Sequence, residues 1–257
     1  MKKAVNDFIV LDNIALNAAN FLIRLRSPVP LPEIMPGQFA NVEVKNSTEI
    51  FLRRPFSVFD VNYEEQTLGL IVKILGRGSK ILTGIKPKET LSLVYPLGKG
   101  FTTPDRNDRI LLIGGGSGVA PLLFLAKTAG LKYENVHIVL GAKNADDIID
   151  IREYRKYGQV DFTTEDGSLG VYGRVTDHPL FKEGLTTFNK VYTCGPEPMM
   201  KSIASVTKEC GIFCEVSLEN LMACGFGVCL CCIEPTIRGN LCVCTDGPVF
   251  NINTLKW

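Results

Sequence analysis

The sequence has no excess of either charge. Its 28 Lys and Arg meet 27 Asp and Glu for a net charge of +1, so nothing electrostatic draws it to nucleic acid or to an anionic membrane surface. It also lacks a basic stripe with interleaved aromatics. Long apolar runs are missing too. The uncharged stretch 110–126 falls short of the about 20 residues that cross a bilayer, and it carries four glycines and a proline. A buried strand, loop and helix account for it better. After the basic start, Asp7 and Asp12 interrupt any apolar segment, so no signal peptide is read. These absences predict a cytoplasmic chain with neither a membrane nor a nucleic acid as partner. Histidine is scarce: His137 falls in a buried strand and His178 in a loop, neither with a catalytic partner in view. No Ser–His–Asp set and no paired-carboxylate site can be read, and no catalytic residue is assigned. Glu215 and Glu219 read as solvated or capping groups, and Trp257 as a packing residue.

Cysteine, by contrast, is abundant. There are nine, four of them within the stretch "MACGFGVCLCC" (222–232). An odd count suits no disulfide framework, and a reducing compartment disfavours one. Cofactor or metal ligation is the expectation.

The 257 residues allow two domains and a small third. Over 1–100, short stretches rich in β-formers ("FLIRLRSP", "PGQFANVEV", "RPFSVFDV", "LGLIVKIL", "LSLVYPLGKGF") alternate with turns, which predicts an antiparallel β-barrel with one helix near "GSKILTGI". Over 101–212, strands alternate with helices, which predicts a parallel-sheet α/β domain with helices on both faces. One of those helices is expected over "ADDIIDIREYRKYG". Over 213–257 no helical period survives, and a small cysteine-rich unit is predicted.

Three motifs carry chemistry. "GGGSGVAP" (114–121) follows a strand and opens a helix, so Gly114, Gly115, Gly116 and Gly118 suit a phosphate held by backbone N–H groups, although the spacing is not G-x-G-x-x-G. A tight strand-to-helix turn is the alternative the glycines alone leave open. "CGPEPM" (194–199) ends another strand, where open α/β sheets bind ligands, which brings in Cys194, Gly195 and Pro196. "RRPFS" (53–57) puts an arginine in a β-rich stretch, where burial without an anion is costly. With "GRGS" (76–79) it suggests a second diphosphate cradle.

In this order, these motifs resemble the ferredoxin–NAD(P)+ reductase superfamily over 53–199. The resemblance implies FAD on the barrel and NAD as exchangeable substrate on the α/β domain. It implies that Arg54, Pro55, Phe56 and Ser57 lie along the flavin and its diphosphate. Ile71, Val72 and Lys73 would line it, and Gly78 and Ser79 would offer backbone N–H groups to phosphate.

In the tail, Cys224, Cys229 and Cys232 have the spacing C-x4-C-x2-C of a plant-type [2Fe–2S] site. An all-cysteine zinc site using Cys229, Cys232, Cys242 and Cys244 is the rival. Spacing leaves the fourth ligand open, because Cys242 and Cys244 sit two apart on an expected strand and would share a face. The tail is very similar to that of the electron-transfer subunits of B-class dihydroorotate dehydrogenases, and this resemblance implies Cys244. It further implies a heterotetramer, two copies each of this chain and an FMN-containing catalytic subunit, passing electrons through [2Fe–2S] and FAD to NAD+ in pyrimidine biosynthesis. Reductase subunits of the sulfhydrogenase or ferredoxin–NADP+ transhydrogenase type are the alternative. After the strand "NVHIVLGAK", Asp146 and Asp147 precede any arginine up to Arg152, which predicts NAD(H) over NADP(H).

Overall fold

Six strands close the N-terminal barrel: β1 (Ala4–Ala15), β2 (Asn20–Arg26), β3 (Phe39–Val42), β4 (Arg54–Asn62), β5 (Thr67–Lys73) and, after the short helix α1 (Arg77–Leu82), β6 (Thr90–Leu97). Around the ring the order is β1-β2-β5-β4-β3-β6, with every pairing antiparallel. The structure is a computed structural model and describes residues 3–45, 49–149 and 152–257. Inward residues of every strand, among them Phe8, Ile23, Val42, Val58, Leu70 and Leu93, fill the barrel. Phe8 meets Tyr95 edge-on with ring centroids 4.9 Å apart. The helix expected near "GSKILTGI" is α1.

The second unit runs β7 (Ile110–Gly115), α2 (Val119–Thr128), β8 (Val136–Ala142), β9 (Gln159–Thr164), β10 (Val171–Tyr172), β11 (Lys190–Cys194), α3 (Glu197–Glu209) and β12 (Phe213–Ser217). β7 is apolar and buried throughout, and β11 is buried after Lys190, as strands covered on both faces must be. The two helices take opposite faces. On one side, α3 turns Met200, Ile203, Ala204 and Thr207 inward at helical spacing. On the other, α2 is buried from Val119 to Ala126 because it lies between the sheet and the barrel. Its Phe124 reaches into the barrel core, and its Lys127 pairs with Asp60 of β4 at 2.5 Å. Each fully buried leucine of this helix contributes about 1.5–3 kcal/mol of transfer free energy, so α2 welds the two units together.

Beyond β12 come the cluster loop, the hairpin of β13 (Ile233–Thr236) and β14 (Gly239–Cys242), the single-turn helix α4 (Val243–Asp246) and β15 (Val249–Asn251). The sheet order is β10-β9-β8-β7-β11-β12-β15, and only the β12–β15 pair is antiparallel. A boundary at 213 therefore cuts through the sheet. Both β12 and β15 belong to it, since their apolar residues Val216 and Phe250 join its core. The cysteine-rich segment is an excursion between two strands of that sheet.

The helix expected over "ADDIIDIREYRKYG" does not form among the described residues. A 3-10 turn covers Ala145–Asp147, and another covers Arg152–Lys156; residues 150 and 151 lie outside the description. The Asn144 side chain accepts from the Asp147 N–H, Ile148 is already extended, and Ile148 and Ile149 are both buried. Two adjacent apolar residues turned into the core outweigh helix propensity here.

The two histidines do find a partner. His137 Nε2 lies 2.7 Å and His178 Nε2 3.4 Å from Asp161 Oδ2. Burial, ahead of the Asp161 carboxylate that opposes it, holds His178 below the usual histidine range. Glu215 is not solvated. It is 7% exposed, and its carboxylate accepts the Thr102 N–H at 2.9 Å and hydroxyl at 2.7 Å. The Thr102 carbonyl in turn accepts from the Tyr192 hydroxyl at 2.9 Å. This network pins the linker between barrel and sheet.

Candidate cofactor sites

On the barrel, Arg54 opens β4 opposite Val42, and its Nη1 donates to the Leu52 carbonyl at 2.9 Å. The guanidinium lies over α1: a Cβ added at Gly78 would stand 3.2 Å from Arg54 Nε. The Ser79 hydroxyl accepts from the N–H groups of Leu75 (2.9 Å) and Gly76 (3.1 Å). That bonding shapes the turn into α1 and commits the hydroxyl, so only main-chain donors of the first turn remain beside the Arg54 cation, the pairing an anion requires. Neighbouring Arg53 is absorbed by the barrel instead, donating to the Ser92 carbonyl at 2.7 Å and hydroxyl at 3.0 Å. Pro55, Phe56 and Ser57 follow half-buried along β4, opposite Asn41, Ala40 and Phe39. On β5, alternation separates the expected lining residues. Val72 belongs to the barrel core, Ile71 to the cluster shared with α2, and Lys73 ends the strand half-buried.

Two motifs far apart in sequence meet at the carboxyl ends of neighbouring strands, with Cys194 of β11 registered against Gly114 of β7. A Cβ at Gly118 would stand 2.5 Å from the Cys194 carbonyl oxygen, and one at Gly115 would stand 2.8 Å from Pro196 Cδ. Glycine at these positions lets the two turns touch main chain to main chain. In front of them opens a cleft of about 550 Å³ lined by Gly115, Gly116, Pro196 and, from the barrel, Asn20 and Lys73. Gly114 and Gly118 pack behind it against Val119 and Cys194. Farther along, the cleft carries Lys143, Asp147, Glu165 and Arg174. Asp147 thus faces the cleft as the sequence suggests, but Arg174 enters from a distant loop that local spacing could not reveal.

Cys194 is 1% exposed, with its Sγ 3.9 Å from Glu219 Oε1. Burial, then the Glu219 charge, pushes its thiol well above the usual range. Glu219 is open to solvent by surface area, yet its carboxyl is pushed up by desolvation while Lys73 draws it back. Both hold for a carboxylate surrounded by protein and reached through an opening. Sequence reading took Glu219 for a solvated or capping group rather than a neighbour of Cys194. Its position just past the end of β12, beside β11, was the available signal.

In the tail, Cys224, Cys229 and Cys232 lie along the segment between β12 and β13, and Cys244 of α4 is tied to that segment by two N–H···S hydrogen bonds. Amides point at the sulfurs: Phe226 N–H to Cys224 (3.3 Å), Gly227 N–H to Cys244 (3.1 Å) and Cys244 N–H to Cys232 (3.3 Å). Although desolvation opposes it, donors from Cys229, Phe226 and Val228 bring the Cys224 thiol down to about 6. Gly225 and Gly227 take φ of +78° and +80°, which lets the loop turn its N–H groups inward. Among the described residues, no three His, Cys, Asp or Glu groups gather tightly enough to hold a metal ion. Four thiols with inward-turned amides directed at their sulfurs suit a [2Fe–2S] cluster, whose potential is set in part by such hydrogen bonds. The donor set therefore fits [2Fe–2S]. Cys242 and Cys244 do not share a strand face. β14 ends at Cys242, and Cys244 lies in α4, where a helical turn buries it. Cys231 is exposed.

Comparison with known proteins follows the same division. The model for the iron–sulfur cluster binding domain of dihydroorotate dehydrogenase B matches residues 219–256, and that for the oxidoreductase NAD-binding domain matches 112–205. The electron transfer subunit of dihydroorotate dehydrogenase B (NAD(+)) from Fusobacterium nucleatum is 33% identical, covering 96% of each chain. Its counterpart from Caldanaerobacter subterraneus is 38% identical over 84% of each. Among solved structures, a chain of an NADH-dependent reduced ferredoxin–NADP oxidoreductase superposes with a TM-score of 0.85 at 28% identity, covering 99% of this chain and 90% of that one. A ferredoxin reductase of carbazole 1,9a-dioxygenase, 21% identical with a TM-score of 0.72 over 82% of this chain and 67% of that one, shares the fold.

Proposed function

The chain belongs to the electron-transfer subunits of dihydroorotate dehydrogenase B, and from that premise we propose that it carries electrons from the FMN of a catalytic partner subunit, by way of a [2Fe–2S] cluster and FAD, to NAD+ in pyrimidine biosynthesis. The observation that carries this reading is the set of cysteines with sulfur-directed amides on the excursion between β12 and β15, two strands of the same sheet whose strand ends form the nucleotide cleft. FAD, when bound, supplies the conversion between hydride transfer and single-electron transfer.

The chain's own residues bind and orient. Arg54 and the first turn of α1, with Gly78 and Ser79, offer a cation and N–H groups to a diphosphate, beside Pro55, Phe56 and Ser57. Ile71, Val72 and Lys73 offer the strand that borders them. Gly115, Gly116, Gly195 and Pro196 give a nicotinamide nucleotide close approach, and Gly114, Gly118 and Cys194 hold those turns together. Cys224, Cys229, Cys232 and Cys244 would hold the cluster. The barrel to about residue 100 is the flavin unit, the seven-stranded sheet with β12 and β15 the nucleotide unit, and the excursion between those two strands the cluster unit. No helix among the described residues is long and apolar enough to cross a membrane; we assign the complex to the cytoplasm, with two copies of each chain.

The likeness to the ferredoxin–NADP oxidoreductase chain, 99% of this chain at a TM-score of 0.85, supports a second reading as the reductase subunit of another NAD(P)H-linked complex. One experiment separates the two. The purified chain should contain FAD and [2Fe–2S] and reduce artificial acceptors with NADH in preference to NADPH. Alone it should leave dihydroorotate untouched. A colourless, flavin-free preparation sinks both readings, and failure of an FMN-containing catalytic subunit to confer dihydroorotate-dependent NAD+ reduction favours the second.

A further inference from the structure

Asn41 sits where the barrel meets the cluster loop. It lies on β3, registered against Pro55 of β4 and Val94 of β6, and is 1% exposed. Its Nδ2 donates to the Cys224 carbonyl at 3.3 Å, while its Oδ1 is buried without a hydrogen-bond partner. A buried amide with one end unpaired is costly, and an apolar residue would fill a barrel position without that cost. The bond that Asn41 does make is what accounts for its presence. The loop is fitted to it from the other side, because a Cβ at Gly225 would run into the Asn41 carboxamide. From the barrel side, Arg53 Nη1 reaches the Asn41 carbonyl at 3.5 Å and the Ser92 carbonyl at 2.7 Å, which ties this point of β3 to β6.

We propose that Asn41 is a positioning residue of the electron relay: it clamps the loop at Cys224 and Gly225 onto the barrel strand beside Pro55, and so fixes the spacing between cluster and flavin. The inference rests on the relay reading above and deepens it. Each electron that leaves one carrier arrives on the other, and the rate of that transfer falls steeply with separation. A donor on the carbonyl of a cluster ligand also stabilises the more negative, reduced cluster and raises its potential.

The test uses the holoprotein, mixed rapidly with NADH under anaerobic conditions, with flavin bleaching and the cluster's EPR signal followed in the same sample. Asn41→Leu keeps the volume and removes the donor; Asn41→Asp keeps the shape and removes it. Both should slow cluster reduction relative to flavin reduction by roughly tenfold or more, the scale of lost outer-shell contacts. Both should also lower the cluster midpoint potential and shift its g-values. Gly225→Ala should reproduce the effect from the loop side. Loss of the cluster with FAD retained also supports the clamp. Wild-type rates, potential and g-values in Asn41→Leu overturn it. So does joint loss of FAD and cluster in both Asn41 variants, which would make Asn41 a folding residue of the barrel. Wild-type protein without any [2Fe–2S] signal would remove the relay reading itself.

Discussion

Cys231 and Cys232 are neighbours in sequence and opposites in environment: Cys231 is exposed, while Cys232 is 2% exposed and receives the Cys244 N–H at 3.3 Å. Cys232→Ser should therefore lower the cluster content per FAD by roughly tenfold or more, since loss of a ligand exceeds loss of an outer-shell contact, while Cys231→Ser leaves it near the wild-type value. Iron and sulfide analysis with EPR reads both, and the reverse pattern would show that the ligand register is misassigned. The cysteine spacing and the glycine motifs were legible in the sequence because main-chain geometry restricts which residues can occupy them. Glu219 and Asn41 were not. Each meets a neighbour distant in sequence, Cys194 of β11 in one case and Cys224 of the cluster loop in the other. The histidine pair escaped for the same reason, because Asp161 stands 24 residues beyond His137.

At the scale of elements, barrel strands and parallel strands were readable from their periods, since burial on one face or on both leaves different patterns. The segment 145–156 was not, because two buried isoleucines side by side override its helical spacing. Nor was the end of β14, where the chain turns into α4 and separates Cys242 from Cys244. The joint between the two large units depends on a charge that composition could not place. Glu215 is pushed above the usual carboxylate range by burial, against the opposing Thr102 donors. The folded state therefore binds this proton more tightly than the unfolded chain does. Its contribution to stability is fully present below the unfolded value and is lost as pH rises through the folded one. Glu215→Gln should flatten the fall in stability over that window. Glu215→Ala, which removes both hydrogen bonds from Thr102, should cost about 1–3 kcal/mol. Denaturant unfolding of the holoprotein across pH gives both numbers. An unchanged slope in Glu215→Gln would remove this carboxyl from the pH response.

Across the whole molecule, the nucleotide cleft and the cluster loop are separate surfaces joined by the barrel and by one sheet. Around the cluster loop, Leu221, Val228 and Leu230 are 84%, 81% and 59% exposed, and Phe226 is 43% exposed with Lys3 over its ring. Apolar side chains beside single-electron ligands suit a partner that docks there, since aromatic and apolar anchors concentrate binding energy. The glycine cleft faces a small diffusible nucleotide instead. This division of labour is the central claim, and one measurement bears on it most directly. Dihydroorotate and NAD+ are supplied anaerobically to this chain, to the FMN-containing catalytic subunit, and to the two together, and NADH formation is followed. The account predicts NADH only from the mixture, with the flavin and [2Fe–2S] signals of this chain reduced during turnover. NADH formed by either subunit alone, or by a mixture in which Cys232→Ser has removed the cluster, would contradict it.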